Sequence, residues 1–265
     1  MAAKIHLENV EKVFPPQGNG EPVVAVQHTT LSVAPKEFVS IVGPSGCGKS
    51  TILNMVAGLL DPSSGQILID GDVVEDRRKH FGYMFQKDLL FPWRTIRENV
   101  ALGIEVLGVP KKEALDRADS ILTQFSLGGF ANNYPSQLSG GMRQRAALMR
   151  TLLCDRDTLL LDEPFGALDA LTRSVMQEWL LNIWEQDHRT ILFITHDIEE
   201  SIFLSDRVMM MSARPGRIKM ELEIDLPRPR DHNILTHPHF NELKKIVLDQ
   251  IYEESVKAVT AGDGD

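Results

Sequence analysis

One glycine-rich segment has the residue types and spacing that bind phosphate groups. It reads Gly43, Pro44, Ser45, Gly46, Cys47, Gly48, Lys49, Ser50 and Thr51, and it fits the pattern G-x-x-x-x-G-K-[ST]. Glycines allow backbone N–H groups to converge on phosphate oxygens, and a following helix N-terminus adds partial positive charge. We therefore expect Lys49 to reach the β- and γ-phosphates of a nucleotide and Ser50 to ligate Mg²⁺. The alternative is a glycine-rich turn without this function.

Two adjacent carboxylates follow a short apolar run, residues 158–161. At the end of a buried strand beside a phosphate loop, Asp162 is well placed to hold Mg²⁺ through water. Glu163 can then polarise the attacking water as a general base. An acidic pair at a strand end can equally belong to the start of a helix. The presence of the phosphate loop favours catalysis.

Gln86 and His196 also follow short apolar runs, residues 83–85 and 190–195. His196 could meet the γ-phosphate from the far side of the end of the sheet. Taken alone, His196 is more readily a structural or surface residue, and Gln86 an ordinary polar residue at a strand end.

The elements that position these residues follow from the hydrophobic pattern. Short apolar runs alternate with helical patterns, which predicts an α/β fold in which helices cover a sheet. A strand at 39–42 precedes the phosphate loop, and further strands are predicted at 158–161 and 190–195. Helices are predicted at 49–57, 95–107, 111–125, 140–153, 170–186 and 198–204. The stretch from about 88 to 154 is predicted as an inserted helical subdomain.

The character of the chain changes near Pro227 and Pro229, which end any strand. An amphipathic helix is predicted beyond them, with Phe240, Leu243, Val247 and Ile251 on one face. Residues 261–265 are expected to be frayed. Packing of the apolar face on the core is the simpler account of this segment, with regulation or dimerisation as alternatives.

Composition limits the class of protein. The 265 residues are 43% hydrophobic and 25% charged, which is typical of a globular protein, and the formal net charge of −9 argues against a nucleic-acid partner. Two cysteines are too few for a disulfide framework. No signal peptide is recognisable and no apolar run reaches the roughly 18 residues that span a bilayer. We expect a cytosolic chain without a membrane segment of its own.

The segment Leu138-Ser139-Gly140-Gly141-Met142-Arg143-Gln144-Arg145 resembles the signature motif of ATP-binding cassette (ABC) ATPases. It lies upstream of Leu161-Asp162-Glu163-Pro164, and the resemblance covers residues 5 to 226. It implies a P-loop NTPase with a RecA-like core, an antiparallel β-subdomain and an inserted helical subdomain. The implied domains are an ABC ATPase domain at 1–230 and a C-terminal extension at 231–265.

The resemblance also implies residue roles, with ATP and Mg²⁺ as cofactors. Gln86 matches the Q-loop, Asp169 the D-loop and His196 the switch histidine, while Phe14 matches the aromatic residue that stacks on adenine. The catalytic residues are then Glu163, His196, Gln86 and Lys49, and the Mg²⁺ ligands are Ser50, Gln86 and Asp162. The ATP-binding residues are Phe14, Gly43 to Thr51, Ser139, Gly140, Gly141 and Asp169.

A single phosphate loop and a single signature motif imply half of a composite machine. The resemblance implies a head-to-tail pair of subunits with two ATP molecules between them, with Ser139, Gly140, Gly141 and Asp169 acting in trans. It further implies transmembrane permease subunits, an indirectly coupled periplasmic or lipid-anchored solute-binding protein, and a peripheral location on the cytoplasmic membrane face. DNA-repair and translation-associated ABC proteins are disfavoured, because the chain lacks sustained heptads, a basic domain and a second cassette.

Met142, with residues 90–95 and 212–218, resembles importers of the nitrate, sulfonate, taurine and bicarbonate group. The transported solute is not encoded in this chain, and an exporter or an importer of another small solute remains an alternative. Phe91, Pro92 and Trp93 are candidates for docking a helix of the permease, with packing inside the helical subdomain as the alternative. His232, His237 and His239 are disfavoured as a metal site.

Overall fold

The computed structural model describes residues 2–16, 18 and 20–262, without the side chains of 259–262. The chain divides into two compact units. Unit 1 comprises residues 1–80 and 177–265, and unit 2 comprises residues 81–176. The predicted helical insertion at 88–154 falls within unit 2, and the predicted extension at 231–265 belongs to unit 1. The assignment of 1–230 to one ATPase domain stays a prediction.

The strands and helices are, in chain order, β1 (Ile5–Phe14), β2 (Val23–Val33), β3 (Phe38–Val42), α1 (Lys49–Val56), β4 (Ser64–Ile69), β5 (Gly82–Met84), α2 (Ile96–Glu105), α3 (Lys111–Gln124), α4 (Gly140–Leu153), β6 (Thr158–Asp162), α5 (Ala170–Asp187), β7 (Thr190–Ile194), α6 (Ile198–Leu204), β8 (Arg207–Met211), β9 (Ile218–Glu223) and α7 (Pro238–Gly262).

Unit 1 contains an antiparallel sheet in the order β2-β1-β4. It corresponds to the antiparallel β-subdomain that the family resemblance implies. The pairing of β1 shifts register between Leu7 and Val10, and both intervening residues, Glu8 and Asn9, are exposed. This irregularity breaks the alternation that marks a strand in a sequence, because a bulge moves later side chains to the other face.

A second group of strands in unit 1 lies in the order β7-β3-β8-β9. Strand β3 runs parallel to both β7 and β8, whereas β9 is antiparallel to β8. Every residue of β3 and β7 is buried, as expected for parallel strands covered on both faces. Because β3 and β7 are parallel, the phosphate loop after β3 and His196 after β7 follow the same edge of these strands.

The long helix α7 covers part of unit 1. Of the predicted apolar face, Phe240, Leu243 and Val247 are buried and Ile251 is half-buried, and the helix packs against α6 and β8. Residues 261 and 262, which were expected to fray, belong to the helix, and 263–265 lie outside the described residues.

Unit 2 combines the parallel pair β5 and β6 with the helices α2, α3 and α4, which pack on one another. Helix α2 begins after Thr95, whose side chain forms a reciprocal capping box with Glu98, and α4 begins after Ser139, whose hydroxyl caps it. Within the described part of the chain, no helix combines the length and apolarity needed to cross a membrane.

Candidate functional site

The phosphate loop joins β3 to α1 in unit 1. Gly48 has φ +105°, and a Cβ there would lie 2.8 Å from the carbonyl oxygen of Ala25, so a larger residue does not fit. The ammonium group of Lys49 is buried and donates to the carbonyl oxygens of Gly43 (2.7 Å) and Pro44 (3.0 Å). These bonds place a positive charge at the loop, and Ser50 lies in the first turn of α1.

Segment 212–217, between β8 and β9, supports the phosphate loop. Arg214 donates to the carbonyl oxygen of Gly46 (Nη2 to O, 3.0 Å), and a Cβ at Gly216 would lie only 1.9 Å from the carbonyl oxygen of Cys47. The backbone N–H of Ala213 donates in turn to Glu254 of α7 (3.0 Å). Sequence reasoning missed this support, because its partners are some 40 to 170 positions apart.

Cys47 lies within the phosphate loop and is buried. Burial raises the pKa of its thiol, and the nearby Lys49 opposes this shift only partly. The thiol is therefore protonated at neutral pH, which argues against a reactive regulatory cysteine.

His196 and Phe14 also belong to unit 1. His196 is exposed two residues after the end of β7 and precedes Asp197, which caps α6 by accepting from the N–H of Glu200. Phe14 ends β1 at the surface, with the ammonium of Lys12 5.5 Å from its ring centroid. Contact of Phe14 with adenine and of His196 with the γ-phosphate stay predictions.

The predicted carboxylate pair lies at the end of β6 in unit 2. Asp162 is the last residue of the strand and is buried. The pKa of Tyr83 is raised, mainly by burial of its phenol and in addition by the negative charge of Asp162. The side chain of Gln86 donates to the carboxylate of Glu163 (Nε2 to Oε2, 3.4 Å). The structure thus brings together two residues that lie 77 positions apart and that were both predicted as catalytic.

Glu163 has φ +47°, a backbone conformation that non-glycine residues rarely adopt. The side chain of Gln144, in α4, donates to the carbonyl oxygen of Glu163 (2.9 Å) and accepts from the N–H of Ala167 (2.6 Å). Sequence reasoning missed Gln144 as a functional candidate. The available signal was a polar side chain on the buried face of α4, which also holds Ala147, Leu148 and Thr151.

The signature segment forms the start of α4. The hydroxyl of Ser139 accepts from the N–H of Met142 (3.3 Å), and both Ser139 and Gly140 are exposed. Because a helix N-terminus carries unpaired N–H groups and partial positive charge, this end can receive an anion. A Cβ at Gly141 would lie 3.2 Å from the carbonyl oxygen of Ala167, so the motif also packs closely on the loop after β6.

Asp169 has a local partner. Its carboxylate accepts from the N–H (3.0 Å) and the hydroxyl (2.7 Å) of Thr172, and these bonds lower the pKa of Asp169. It therefore caps the start of α5 while remaining exposed. Its predicted contact with ATP across a subunit boundary stays a prediction.

The predicted residues fall into two sets. Unit 1 holds Phe14, Gly43 to Thr51 and His196, and unit 2 holds Gln86, Ser139, Gly140, Gly141, Asp162, Glu163 and Asp169. The donor types of Ser50, Gln86 and Asp162 are a hydroxyl, an amide and a carboxylate, whose oxygen atoms are the ligands that Mg²⁺ prefers.

The histidines near α7 have other partners. His239 contacts Asp225 (2.6 Å) and Glu242 (3.0 Å), and the ring of His232 stacks on Phe203. Over the described residues, no group of three or more His, Cys, Asp or Glu side chains is arranged to hold a metal ion. The alternative of a histidine metal site at these positions therefore gains no support.

Phe91 and Trp93 precede α2 in unit 2. Their rings stack with centroids 5.1 Å apart, and Trp93 is 71% exposed. This exposure contradicts the alternative in which Trp93 packs inside the helical subdomain.

Comparison with known proteins agrees with these observations. The family model described as "ABC transporter" matches residues 26–166. The chain is 44% identical to an uncharacterised ABC transporter ATP-binding protein of Methanocaldococcus jannaschii, over 98% of this chain and 95% of that protein. It is also 44% identical to the aliphatic sulfonates import ATP-binding protein SsuB of Bacillus cereus, over 93% of this chain and 95% of that protein.

Two solved structures are similar as well. A dimeric bacterial ABC transporter cassette superposes with a TM-score of 0.76, at 34% identity, over 84% of this chain and all of that chain. A dimeric ATP-binding cassette in a post-hydrolysis state, bound to ADP and Pi, superposes with a TM-score of 0.75 at 33% identity, with the same coverage.

Proposed function

The chain belongs to the family of ABC transporter ATP-binding proteins and is an ATPase of that family, and from this premise we propose that it energises the import of a small anionic solute. Nitrate, a sulfonate, taurine and bicarbonate are the candidate solutes. The observation that carries the proposal is the similarity, over nearly the whole chain, to a protein named for aliphatic sulfonate import.

The proposed ATP chemistry gives each predicted catalytic residue a role. Lys49 and the N–H groups of the phosphate loop bind the β- and γ-phosphates. Glu163 accepts a proton from water as the water oxygen bonds to the γ-phosphorus, and the bond to the β-phosphate oxygen breaks to release ADP. Gln86 orients the water or senses the γ-phosphate, and His196 contacts the γ-phosphate.

Mg²⁺ is the proposed metal cofactor, with Ser50, Gln86 and Asp162 as its residues. When bound, it neutralises the charge that develops on the phosphate oxygens. The support for this assignment is the set of oxygen donors that these three side chains offer.

We propose that two copies, or one copy and a paralogue, close head to tail on two ATP molecules. Exposure of Ser139 and Gly140 at the start of α4 supports this arrangement, because those groups are accessible to a nucleotide held by a second subunit. Closure and separation drive transmembrane permease subunits from the cytoplasmic face, and a solute-binding protein delivers the solute. The exposed stack of Phe91 and Trp93 is the proposed contact with a permease helix.

Reconstitution tests the importer assignment. The chain is co-purified with its membrane subunits, placed in vesicles with the solute-binding protein, and assayed for ATP hydrolysis with taurine, short alkanesulfonates, nitrate and bicarbonate. We expect one class of anion to stimulate hydrolysis and to accumulate in the vesicle compartment that corresponds to the cytoplasm. Glu163→Gln in the same complex controls for contaminating ATPases. Movement of a substrate in the opposite direction would favour the alternative, the ATPase of an exporter.

A further inference from the structure

The signature helix α4 holds the loop that carries Glu163. The amide of Gln144 spans this loop, since its nitrogen donates to the carbonyl oxygen of Glu163 at one end and its oxygen accepts from the N–H of Ala167 at the other. The side chain of Gln144 is buried, with 5% of the residue exposed. Both polar atoms are therefore committed to the backbone of residues 163–167.

The loop needs such support because of its backbone. Glu163 lies in the left-handed region, and a residue in this region keeps its conformation only where its surroundings determine it. The carbonyl oxygen of Glu163 also accepts from the N–H of Gly166 (3.2 Å), so the bond from Gln144 completes a tight turn directly at the carboxylate. A side chain with one donor and one acceptor is required, and at this length an amide supplies both without a charge and at every pH near neutrality, whereas a carboxyl group does so only when it is protonated.

A second contact joins the signature motif to the same loop. Gly141 packs against Ala167 and Leu168 so closely that a Cβ at Gly141 would lie 3.1 Å from the side chain of Leu168. Gly141 is in the first turn of α4 and Gln144 in the next, so both contacts move with the start of the helix.

The same helix holds the segment after Gln86. Arg143 donates to the carboxylate of Asp88 (3.0 Å), and Arg150 donates to the carbonyl oxygens of Asp88 (2.7 Å) and Leu89 (2.8 Å). Helix α4 therefore supports both the segment after Gln86 and the loop that carries Glu163. The side chains of these two residues are joined by a hydrogen bond from Gln86 to Glu163.

We propose that Gln144 is a positioning residue that couples the signature motif to the carboxylate of Glu163 in the same chain. A phosphate group bound at Ser139 and Gly140 changes the position of α4. Gln144 transmits this change to the turn at residues 163–167, which orients the carboxylate of Glu163 towards the attacking water. This inference rests on the proposed role of Glu163 as the water-activating base. It gives each subunit a link between the ATP that it receives in trans and the ATP that it hydrolyses in cis.

Three variants of the full chain test the position of Gln144. Gln144→Met removes both hydrogen bonds, and Gln144→Glu keeps the shape but offers only acceptors when ionised. Thr151→Val is the matched control, because Thr151 is buried in α4 and its hydroxyl donates within the helix, to the carbonyl oxygen of Ala147. We expect Gln144→Met to lower kcat by about tenfold or more while the Kd of a fluorescent ATP analogue stays within about twofold. The control should keep its kcat within about twofold.

The pH dependence of kcat for Gln144→Glu distinguishes loss of the hydrogen bonds from loss of packing, because a packing defect would not depend on pH in this way. A protonated carboxyl group has one O–H donor and one acceptor, so it reproduces the pattern of the amide. The ratio of kcat for this variant to that of the wild type should rise as the pH falls from about 8.5 to about 6, whereas the ratio for Gln144→Met stays flat. A kcat for Gln144→Met near the wild-type value, or a flat ratio for Gln144→Glu, overturns the proposal.

A double-mutant cycle tests the coupling itself. Ser139→Ala and Gln144→Met are measured singly and together, by single-turnover release of phosphate. If Gln144 transmits the effect of the signature motif, the double variant should be at least about fivefold faster than the product of the single effects predicts. Ser139→Ala with Thr151→Val should follow that product. Multiplicative effects in both pairs overturn the coupling, whereas a wild-type chain without ATPase activity would instead contradict the function assigned to the whole protein.

Discussion

At the scale of single residues, Glu163 combines a strained backbone with a side chain that contacts Gln86. Strained positions cluster where a side chain must point in one direction, because the surrounding structure holds the conformation for function. The placement of the acidic pair at the end of a strand and of the phosphate loop between a strand and a helix was predictable from residue type and spacing. Gln144 was not, because its partners depend on how α4 lies against a loop about 20 positions away.

Replacement of Glu163 by Gln should stop hydrolysis while ATP remains bound. The variant keeps the size of the side chain but loses the general base, so phosphate release should slow by about 10²–10⁴-fold. Because ATP persists, the dimer should also persist, which light scattering with Mg²⁺ and ATP would detect. Glu113→Gln makes the same charge change on the exposed surface of α3 and should behave as the wild type. Continued turnover in Glu163→Gln would contradict the assigned role.

At the scale of elements, helix starts were predictable and the first strands were not. The predicted starts at residues 95 and 140 lie within one position of the starts of α2 and α4, where Thr95 with Glu98 and Ser139 are local capping residues. Strand β1 contains a register shift with two exposed residues in succession, so its pattern does not alternate. The family resemblance implied an antiparallel β-subdomain, but the pairing of β1 with β2 and β4 was not predicted.

The support given by α7 to segment 212–217 should depend on the ionised form of Glu254. Burial works to raise the pKa of this carboxyl group, but hydrogen bonds from Lys257, the N–H of Ala213 and Lys219 outweigh it and lower the pKa to about 2. A lowered pKa means that the carboxylate stabilises the fold above its unfolded pKa near 4.5 and that this stabilisation fades as the pH falls from there towards 2.

Glu254→Gln should therefore lower the free energy of unfolding by about 1–3 kcal/mol at pH 7, as measured in urea. The difference from the wild type should shrink as the pH falls below about 4.5, where the wild-type carboxylate begins to lose its advantage over the unfolded chain. Glu253→Gln is the matched control, because the neighbouring Glu253 is exposed and forms an ion pair with Lys219, and this variant should cost below about 1 kcal/mol. Equal losses in both variants at all pH values would show that Glu254 has no special role.

Trp93→Ala should uncouple transport from hydrolysis. The indole is exposed and stacked on Phe91, so its removal exposes no core and should leave the melting temperature and ATP affinity unchanged. Transport in reconstituted vesicles should fall by about tenfold or more if this ring fills a pocket in the permease interface. Tyr252→Ala removes an aromatic side chain of similar exposure from α7 and should transport normally. Unchanged transport by Trp93→Ala would exclude the docking surface.

At the scale of the whole molecule, the net charge of −9 does not prevent the binding of a nucleotide. The positive charge that we propose for phosphate binding is local, at Lys49 and at the N-termini of α1 and α4. The sequence of one chain does not show where a second subunit lies. The exposed start of α4 is instead the surface from which a composite site can be inferred.

Mixing two inactive variants tests that composite site. Lys49→Ala disables the phosphate loop and Ser139→Arg disables the signature motif, and each homodimer should hydrolyse ATP slowly. In a head-to-tail pair of the two variants, the intact loop of one chain faces the intact signature of the other, so one complete site forms. Phosphate release by the mixture should then exceed the sum of the separate rates by about tenfold. If both motifs acted within one chain, every site would carry one defect, and mixing would restore nothing.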